Sequence, residues 1–496
     1  MHMKKIFLAA AVLTSMASCT KWLEEKPKST ITSNLYYKTA EDAQAAVNGI
    51  YNFISAPYNK GGYDNMPYSM LELVTGTWTN QAQSAFSIDF YNLVYSPSSP
   101  YVSTYWSSCY RGIEAANLAI ANIPAVNMPA TDKDNLIAQA KFLRAWYYYN
   151  LVNIFGEVPL KLTPTLKPED GILPKSSVKD IYEKGIVPDL TDAAQAQLSN
   201  TPDGNGRVSK GAAKALLAKV YLSMAGEPLK QTDKYALAKT TAGELISAGW
   251  FSLFQSDASL TWFDKLNNTA FDNKQENIFG VNYTINDANA SVPVYFLPKE
   301  VKFTRNNSLQ FGGFYPTADF MNSYAAGDLR GKNNMGFFYN TITVDGKVYT
   351  FPWAIYKFFD KGLLDVSPNS GKDFALLRYA DVLLTYAEAQ NEAEGAANAD
   401  AYTALNNIRN RAGLPSLSGL SKDAFRTEIW KERYWELCAE GKVWYDIVRT
   451  QQVFNPATGA FTPIVGYKLP SGVTFKTENL RFPIPESEVQ INPLLK

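Results

Sequence analysis

Apolar residues recur at three- and four-residue steps over much of the chain, the spacing that gathers them on one face of an α-helix. Within 138–152 the stripe is Ala138, Phe142, Ala145, Trp146, Tyr149 and Val152. Within 213–224 it is Ala213, Leu216, Leu217, Val220, Tyr221 and Met224, and Leu376, Ala380, Leu383, Leu384 and Ala387 repeat it further on. Alanines set among large side chains let helices approach closely, and Ala145 lies about two ~34-residue tetratricopeptide periods before Ala213. One such spacing predicts helix-pair packing but no regular array. Thr39 with Asp42, Thr131 with Asp134, and Ser177 with Asp180 have the spacing of an N-cap hydroxyl and a first-turn acid. The predicted helices are 40–56, 99–122, 131–155, 177–198, 209–225, 231–248, 373–394, 399–412 and 421–450.

Between 249 and 371 the period breaks into Asn, Gly, Pro and aromatic residues, with short strand-like pieces at 277–283 and 341–344. Long irregular segments inside a compact protein are usually functional, because burying unpaired backbone is costly. This insertion and the loop region 57–98 are the expected working face. The expected organisation is a leader at 1–18, a tether at 19–38, a helical body at 39–248, the insertion at 249–371 and a second helical part at 372–496.

Lys4 and Lys5 precede the apolar run Ile6–Leu13, which ends in the small residues Ser15, Ala17 and Ser18 before Cys19. The run is too short to span ~30 Å of hydrocarbon, so it reads as an export signal. Small residues directly ahead of a cysteine predict a lipoprotein cleavage site, with Cys19 as the acylated first residue and the membrane anchor. An ordinary export signal with a coincidental cysteine is the alternative. No later stretch reaches ~18 uninterrupted apolar residues.

The 496 residues are 46% apolar and 14% aromatic, and 47 Lys and Arg balance 47 Asp and Glu, so the basic footprint of nucleic-acid binding is missing. The single histidine is His2, ahead of the apolar run of the leader. A mature chain without it excludes Ser-His-Asp and Cys-His nucleophiles and His-ligated zinc, and leaves carboxylate-pair chemistry. Cys109 and Cys438 both fall in helical patterns and are expected to be separate buried thiols.

Four separated segments give the chain a family likeness. The first is Lys141–Tyr149 continuing to Phe155-Gly156-Glu157-Val158-Pro159-Leu160, and the second is Gly206-Arg207-Val208-Ser209-Lys210 running on to Leu222. The third is Arg378–Leu384 with Tyr386–Ala389, followed by Leu405–Arg409 and Arg411-Ala412-Gly413. The fourth is Glu432–Leu437 with Glu440-Gly441, Trp444-Tyr445-Asp446 and Arg449, closed by Phe482–Pro485 and Asn492-Pro493. In this order they resemble the SusD/RagB family of outer-membrane, cell-surface glycan-binding lipoproteins, over essentially the whole chain. The resemblance implies a mostly α fold: tetratricopeptide-like helix pairs form a superhelical scaffold, and a large irregular, strand-poor insertion carries the ligand face. It also implies a glycan ligand, no cofactor, and docking onto a SusC-like TonB-dependent transporter as a lid that delivers oligosaccharides. The family does not keep its binding segment, so the sugar does not carry over.

Sugar recognition needs flat apolar rings against pyranose C–H faces, with amides or charged groups on the hydroxyls. The 57–98 loop offers Trp78, Asn80, Gln81 and Phe86. The insertion offers Tyr283, Tyr295, Phe296, Phe311, Phe314 and Tyr315, beside Asn306, Asn307 and Gln310. Trp78, between Thr77 and Thr79-Asn80, is the leading platform; for each other ring, core packing is the bland alternative. The acidic stripe Glu432, Glu436 and Glu440 raises a surface glycoside hydrolase as a rival, yet i,i+4 spacing with Arg409, Arg411 and Arg433 available favours a scaffold ion-pair network. A transporter lid for a non-carbohydrate nutrient is the third reading. Asp203-Gly204-Asn205-Gly206 lacks the further ligands of a calcium loop and reads as a turn; no metal site is expected. Tyr147-Tyr148-Tyr149 reads as helix packing with one ring exposed.

Overall fold

Thr39 opens the first described helix, α1 (Ala40–Tyr51), with a capping box: its hydroxyl accepts from the Asp42 amide at 3.2 Å, and Asp42 accepts the Thr39 amide at 3.0 Å. The computed structural model describes residues 37–59, 66–80 and 85–496. The leader, Cys19 and most of the tether lie outside the described residues. Ser177 caps its helix as expected, at 3.0 Å from the Asp180 amide. Thr131 does not cap: the helix already starts at Ala130 behind Pro129, whose fixed φ suits an entry, and Asp134 instead accepts the Gln197 amide at 2.7 Å.

The longer helices follow one another as α2 (Pro100–Asn122), α3 (Ala130–Phe155), α4 (Val187–Gln195), α5 (Lys210–Ala225), α6 (Lys234–Ser247), α7 (Tyr379–Glu394), α8 (Ala399–Arg411), α9 (Lys422–Glu436) and α10 (Val443–Thr450). Each of α1 to α6 packs on the next in sequence, α6 packs on α7 across the insertion, and α7 packs on α8 and α9. Successive antiparallel neighbours of this kind make a mostly α, tetratricopeptide-like superhelix, as expected. Where α2 crosses α3, Gly112 leaves room for the Tyr147 ring, whose hydroxyl donates to Ile50 O at 2.6 Å; a Cβ at 112 would overlap that ring. Gly112→Ala is expected to destabilise by ~1–3 kcal/mol, read as a lowered urea midpoint. All three tyrosines 147–149 are buried, so the expected exposed ring is a correction: the hydroxyls of Tyr148 and Tyr149 reach Lys161 O at 2.8 Å and Ser223 Oγ at 2.9 Å.

Two helix boundaries differ from the periodicity. Residues expected to begin a helix at 373 form strand β6 (Phe374–Arg378), paired antiparallel with β2 (Asn277–Val281). The run expected over 421–450 is broken between α9 and α10, where Ala439 and Gly441 adopt φ of 62° and 71°. Cys438 lies in that break; it and Cys109 are buried free thiols. The insertion carries the hairpin β4 (Phe338–Val344) and β5 (Lys347–Ile355), and a small core of its own built on Leu297, Phe303, Tyr339 and Phe351.

Buried charges bolt the insertion to the C-terminal helices. Arg378 reaches Glu440 at 2.6 Å, Glu276 at 2.5 Å and Glu436 at 3.1 Å; Arg411 reaches Glu436 at 2.6 Å and Glu276 at 2.5 Å. Arg330 pairs with Glu432 and Glu436, and Lys357 with Glu440 at 2.6 Å. Arg433 turns away to Asp381 and Asp446, at 2.9 and 2.8 Å. The acidic stripe is thus a scaffold network sealed from solvent.

Candidate functional site

The two segments expected to form the working face do meet. β1 (Trp78–Thr79) pairs antiparallel with β3 (Tyr315–Pro316), and the Thr79 hydroxyl donates to Tyr315 O at 3.2 Å. Their aromatic side chains, however, turn inward. Trp78 is fully buried, with ring centroids of Phe314 at 5.0 Å and Phe320 at 5.6 Å, and its indole N–H donates to Glu72 Oε2 at 2.7 Å. Phe296 stands edge-on to Phe314 at 4.9 Å, and Tyr295 packs on both. Tyr315 is buried and donates to Glu300 at 2.5 Å. None of these rings presents a free face, which corrects the expectation of sugar platforms at Trp78, Tyr295, Phe296, Phe314 and Tyr315. Aromatic residues from distant segments cover one another, and a local polar flank such as Thr77 and Thr79 does not reveal it.

Asn80 is buried and accepts from Ser87 Oγ at 3.2 Å. Gln81 and the Phe86 side chain lie outside the described residues. Phe311 is half-buried. Gln310 ties its own loop, donating to Pro298 O and Val301 O at 2.5 and 2.7 Å, and Asn306 accepts from Ser308. Tyr283 has a different setting: 8% exposed, it lines a groove of about 330 Å³ between α1, the turn 203–207 and the end of β2.

Asparagines dominate that groove. Asn48 and Asn52 come from the end of α1 one turn apart, Asn59 from the segment after it, Asn205 from the turn, and Asn282 from the residue after β2. The turn is shaped by Asp203 Oδ1, which accepts the amides of Asn205 and Arg207 at 3.0 Å each and so clamps the backbone. Gly206 takes φ of 67° with the Asn282 amide packed where a Cβ would sit; Asn282 in turn donates to Asn205 O. Arg207 donates to Asn48 Oδ1 and lies over the Tyr51 ring at 5.0 Å. Tyr51 itself is held by Gln139 at 2.7 Å and by the Val208 amide at 3.0 Å. On the insertion side, Asp373 accepts the Tyr283 amide at 2.7 Å, and Asn273 bridges Asp373 and Asn282 at 3.1 and 3.3 Å. Burial and then the neighbouring Asp272 push Asp373 up to about 7.

Three polar atoms on this groove are buried with no hydrogen-bond partner: Asn59 Oδ1, Arg207 Nη1 and the Tyr283 hydroxyl. Other such atoms are spread through the described residues, but these three sit on residues that line one groove, where hydroxyl-bearing or charged groups would satisfy them. Burial pushes the Tyr283 phenol above its ordinary pKa and keeps its proton. Among the described residues no carboxylate lines the groove. Among the described residues no His, Cys, Asp and Glu cluster suits a metal ion, and no helix is long and apolar enough to cross a membrane. Sequence reasoning singled out Tyr283 alone here. Asn48 and Asn52 at i,i+4, and Asn282 beside Tyr283, were the available signal; Arg207 was read only as part of a family segment.

A helix-pair superhelix with an amide-walled groove where an irregular insertion meets its first helix is a scaffold for binding. The chain belongs to the SusD family. The family model described as SusD family matches residues 299–496, and one described as starch-binding associating with outer membrane matches 21–222. A SusD superfamily protein from Parabacteroides distasonis is 33% identical, with a TM-score of 0.86 over 94% of this chain and 99% of that one. A laminarin binding SusD-like protein is 25% identical, with a TM-score of 0.72 over 92% and 98%. SusD-like protein P25 from Formosa agariphila is 25% identical over 100% of this chain and 98% of its own.

Proposed function

We propose that the protein is a non-catalytic, cell-surface glycan-binding lipoprotein of the outer membrane, held by an acylated Cys19, that captures oligosaccharide and passes it to a SusC-like TonB-dependent transporter. The observation that carries the reading is the wall of amides with unpartnered Asn59, Arg207 and Tyr283 atoms, which offers both donors and acceptors to sugar hydroxyls. The laminarin binding relative and the family description support a carbohydrate ligand and an outer-membrane location. The sealed ion pairs of Glu432, Glu436 and Glu440 support binding without cleavage, since each carboxylate is buried against cations.

Titrating the purified chain against a panel of oligosaccharides, with reducing ends assayed in parallel, tests this. Binding to at least one saccharide with no product released is the expected result. Reducing-end release that disappears on substituting one acidic residue would establish the surface glycosidase instead. Silence across the panel, with a barrel partner still co-purifying, would establish a lid for another nutrient.

A further inference from the structure

We propose that the groove beside α1 selects a saccharide bearing a negative charge, a uronate carboxylate or a sulfate ester, seated on the Arg207 guanidinium. This rests on the groove being the glycan site. Among the described residues, Arg207 is the only charged side chain on its wall. Among the described residues the fully buried arginines face carboxylates, as Arg144 meets Asp189, Arg330 meets Glu432 and Arg449 meets Glu388, whereas half-buried Arg207, like Arg481, forms no ion pair. The nearest acid in sequence, Asp203, directs one oxygen to backbone amides of the turn and forms no ion pair with Arg207. The guanidinium is nevertheless fixed in place, through Nη2 on Asn48 and through the Tyr51 ring beneath it. Nη1 is left buried without an acceptor.

A fixed cation with a free N–H and no counter-charge is matched by an anion better than by a neutral hydroxyl, because charge-assisted hydrogen bonds are roughly twice as strong. The surroundings agree in sign. Tyr283, more than nine-tenths buried, keeps its proton and its hydroxyl has no partner, so it supplies a second donor. Asn59 Oδ1 supplies one acceptor for a hydroxyl of the same sugar. Among the described residues, no carboxylate on the lining repels an acidic ligand.

Matched pairs test the charge alone: oligogalacturonate against its carboxyl-reduced form, and a sulfated oligosaccharide against its desulfated form, with laminarin as the neutral reference. At low salt one charged member is expected to bind about tenfold more tightly than its neutral partner, and salt is expected to weaken that member only. The uronate and sulfate pairs separate the two sources of charge. Arg207→Met is expected to abolish the preference, so that the charged and neutral members of each pair bind alike, and Arg207→Lys to restore part of it. Arg207 also ties α1 to the turn, so circular dichroism melts accompany these variants. If they unfold, Tyr283→Phe, expected to weaken the charged ligand severalfold, and the salt series on the unaltered protein decide. Equal binding of charged and neutral members, or binding of neutral saccharides only, overturns the inference and leaves the glycan-binding reading standing. Failure of every saccharide removes both.

Discussion

Trp78→Ala is expected to lower the unfolding free energy by ~3–5 kcal/mol, the range for emptying a buried aromatic site. The indole is fully buried and packs against Phe314, Phe320 and Phe338 at 5.0, 5.6 and 6.4 Å, so its removal opens a cavity that the surrounding rings fill only in part. The polar consequence adds to this. Glu72 Oε2 accepts the indole N–H at 2.7 Å and Oε1 accepts the Gly441 amide at 2.5 Å, and burial pushes its carboxyl up to about 7. Without the indole, Glu72 loses one of its two donors in a dry site, where a missing hydrogen bond costs about 1–3 kcal/mol. Urea denaturation checks the size of the loss. Trp78→Phe keeps most of the ring and separates the two contributions: it should recover the cavity component and leave the Glu72 component. Saccharide affinity of the folded Trp78→Ala protein is expected to stay within about twofold, because no face of the ring reaches the groove; a loss of ~1–3 kcal/mol in binding, the size of a stacking contact, would return Trp78 to the ligand face.

This residue also shows where sequence stops informing. The helical scaffold was legible because helices such as α1 and α2 bury one face and write a 3.6-residue period into the chain, whereas α3 is buried on every side over 142–155. The caps at Thr39 and Ser177 were legible because they act within one turn. Strand β6 was not: Phe374, Leu376 and Leu377 are buried where the strand pairs with β2, and across the single charge of Arg378 that apolar run leads straight into the stripe of α7. The burial of Trp78 depends on Phe314, Phe320 and Phe338, more than two hundred positions away, and no local pattern encodes that. The groove is harder still. Its amides come from α1, the segment after it, a turn and the end of β2, each with ordinary surface composition, so only the fold assembles them. What the residues themselves did carry was Asp203-Gly204-Asn205-Gly206 as a turn, and that turn is what delivers Arg207 to the groove.

Arg378→Ala is expected to be the most damaging single charge removal, costing ~3–5 kcal/mol, because it strands carboxylates that cannot reach water. Arg378 serves Glu276, Glu436 and Glu440 at once, and each of these side chains is buried. The contrast is the exposed pair Lys214–Glu244 at 2.6 Å, where Lys214→Ala should cost no more than ~1 kcal/mol. The pH dependence separates lost charge pairing from lost packing. Burial alone would raise the Glu436 carboxyl, but the guanidinium groups of Arg411, Arg378 and Arg330 hold it down at about 2, against ~4.3 in the unfolded chain. A folded value below the unfolded one gives stability that is complete above ~4.3 and disappears as pH falls toward 2. With Arg378 gone, Glu436 keeps fewer cations and its carboxyl rises, so part of that acid-labile stability is already lost at neutral pH. Urea midpoints at pH 7 and at about pH 3 should therefore show a large gap between the two proteins that narrows in acid. A gap of the same size at both values would mean that the Arg378 stem, rather than its charge, does the holding.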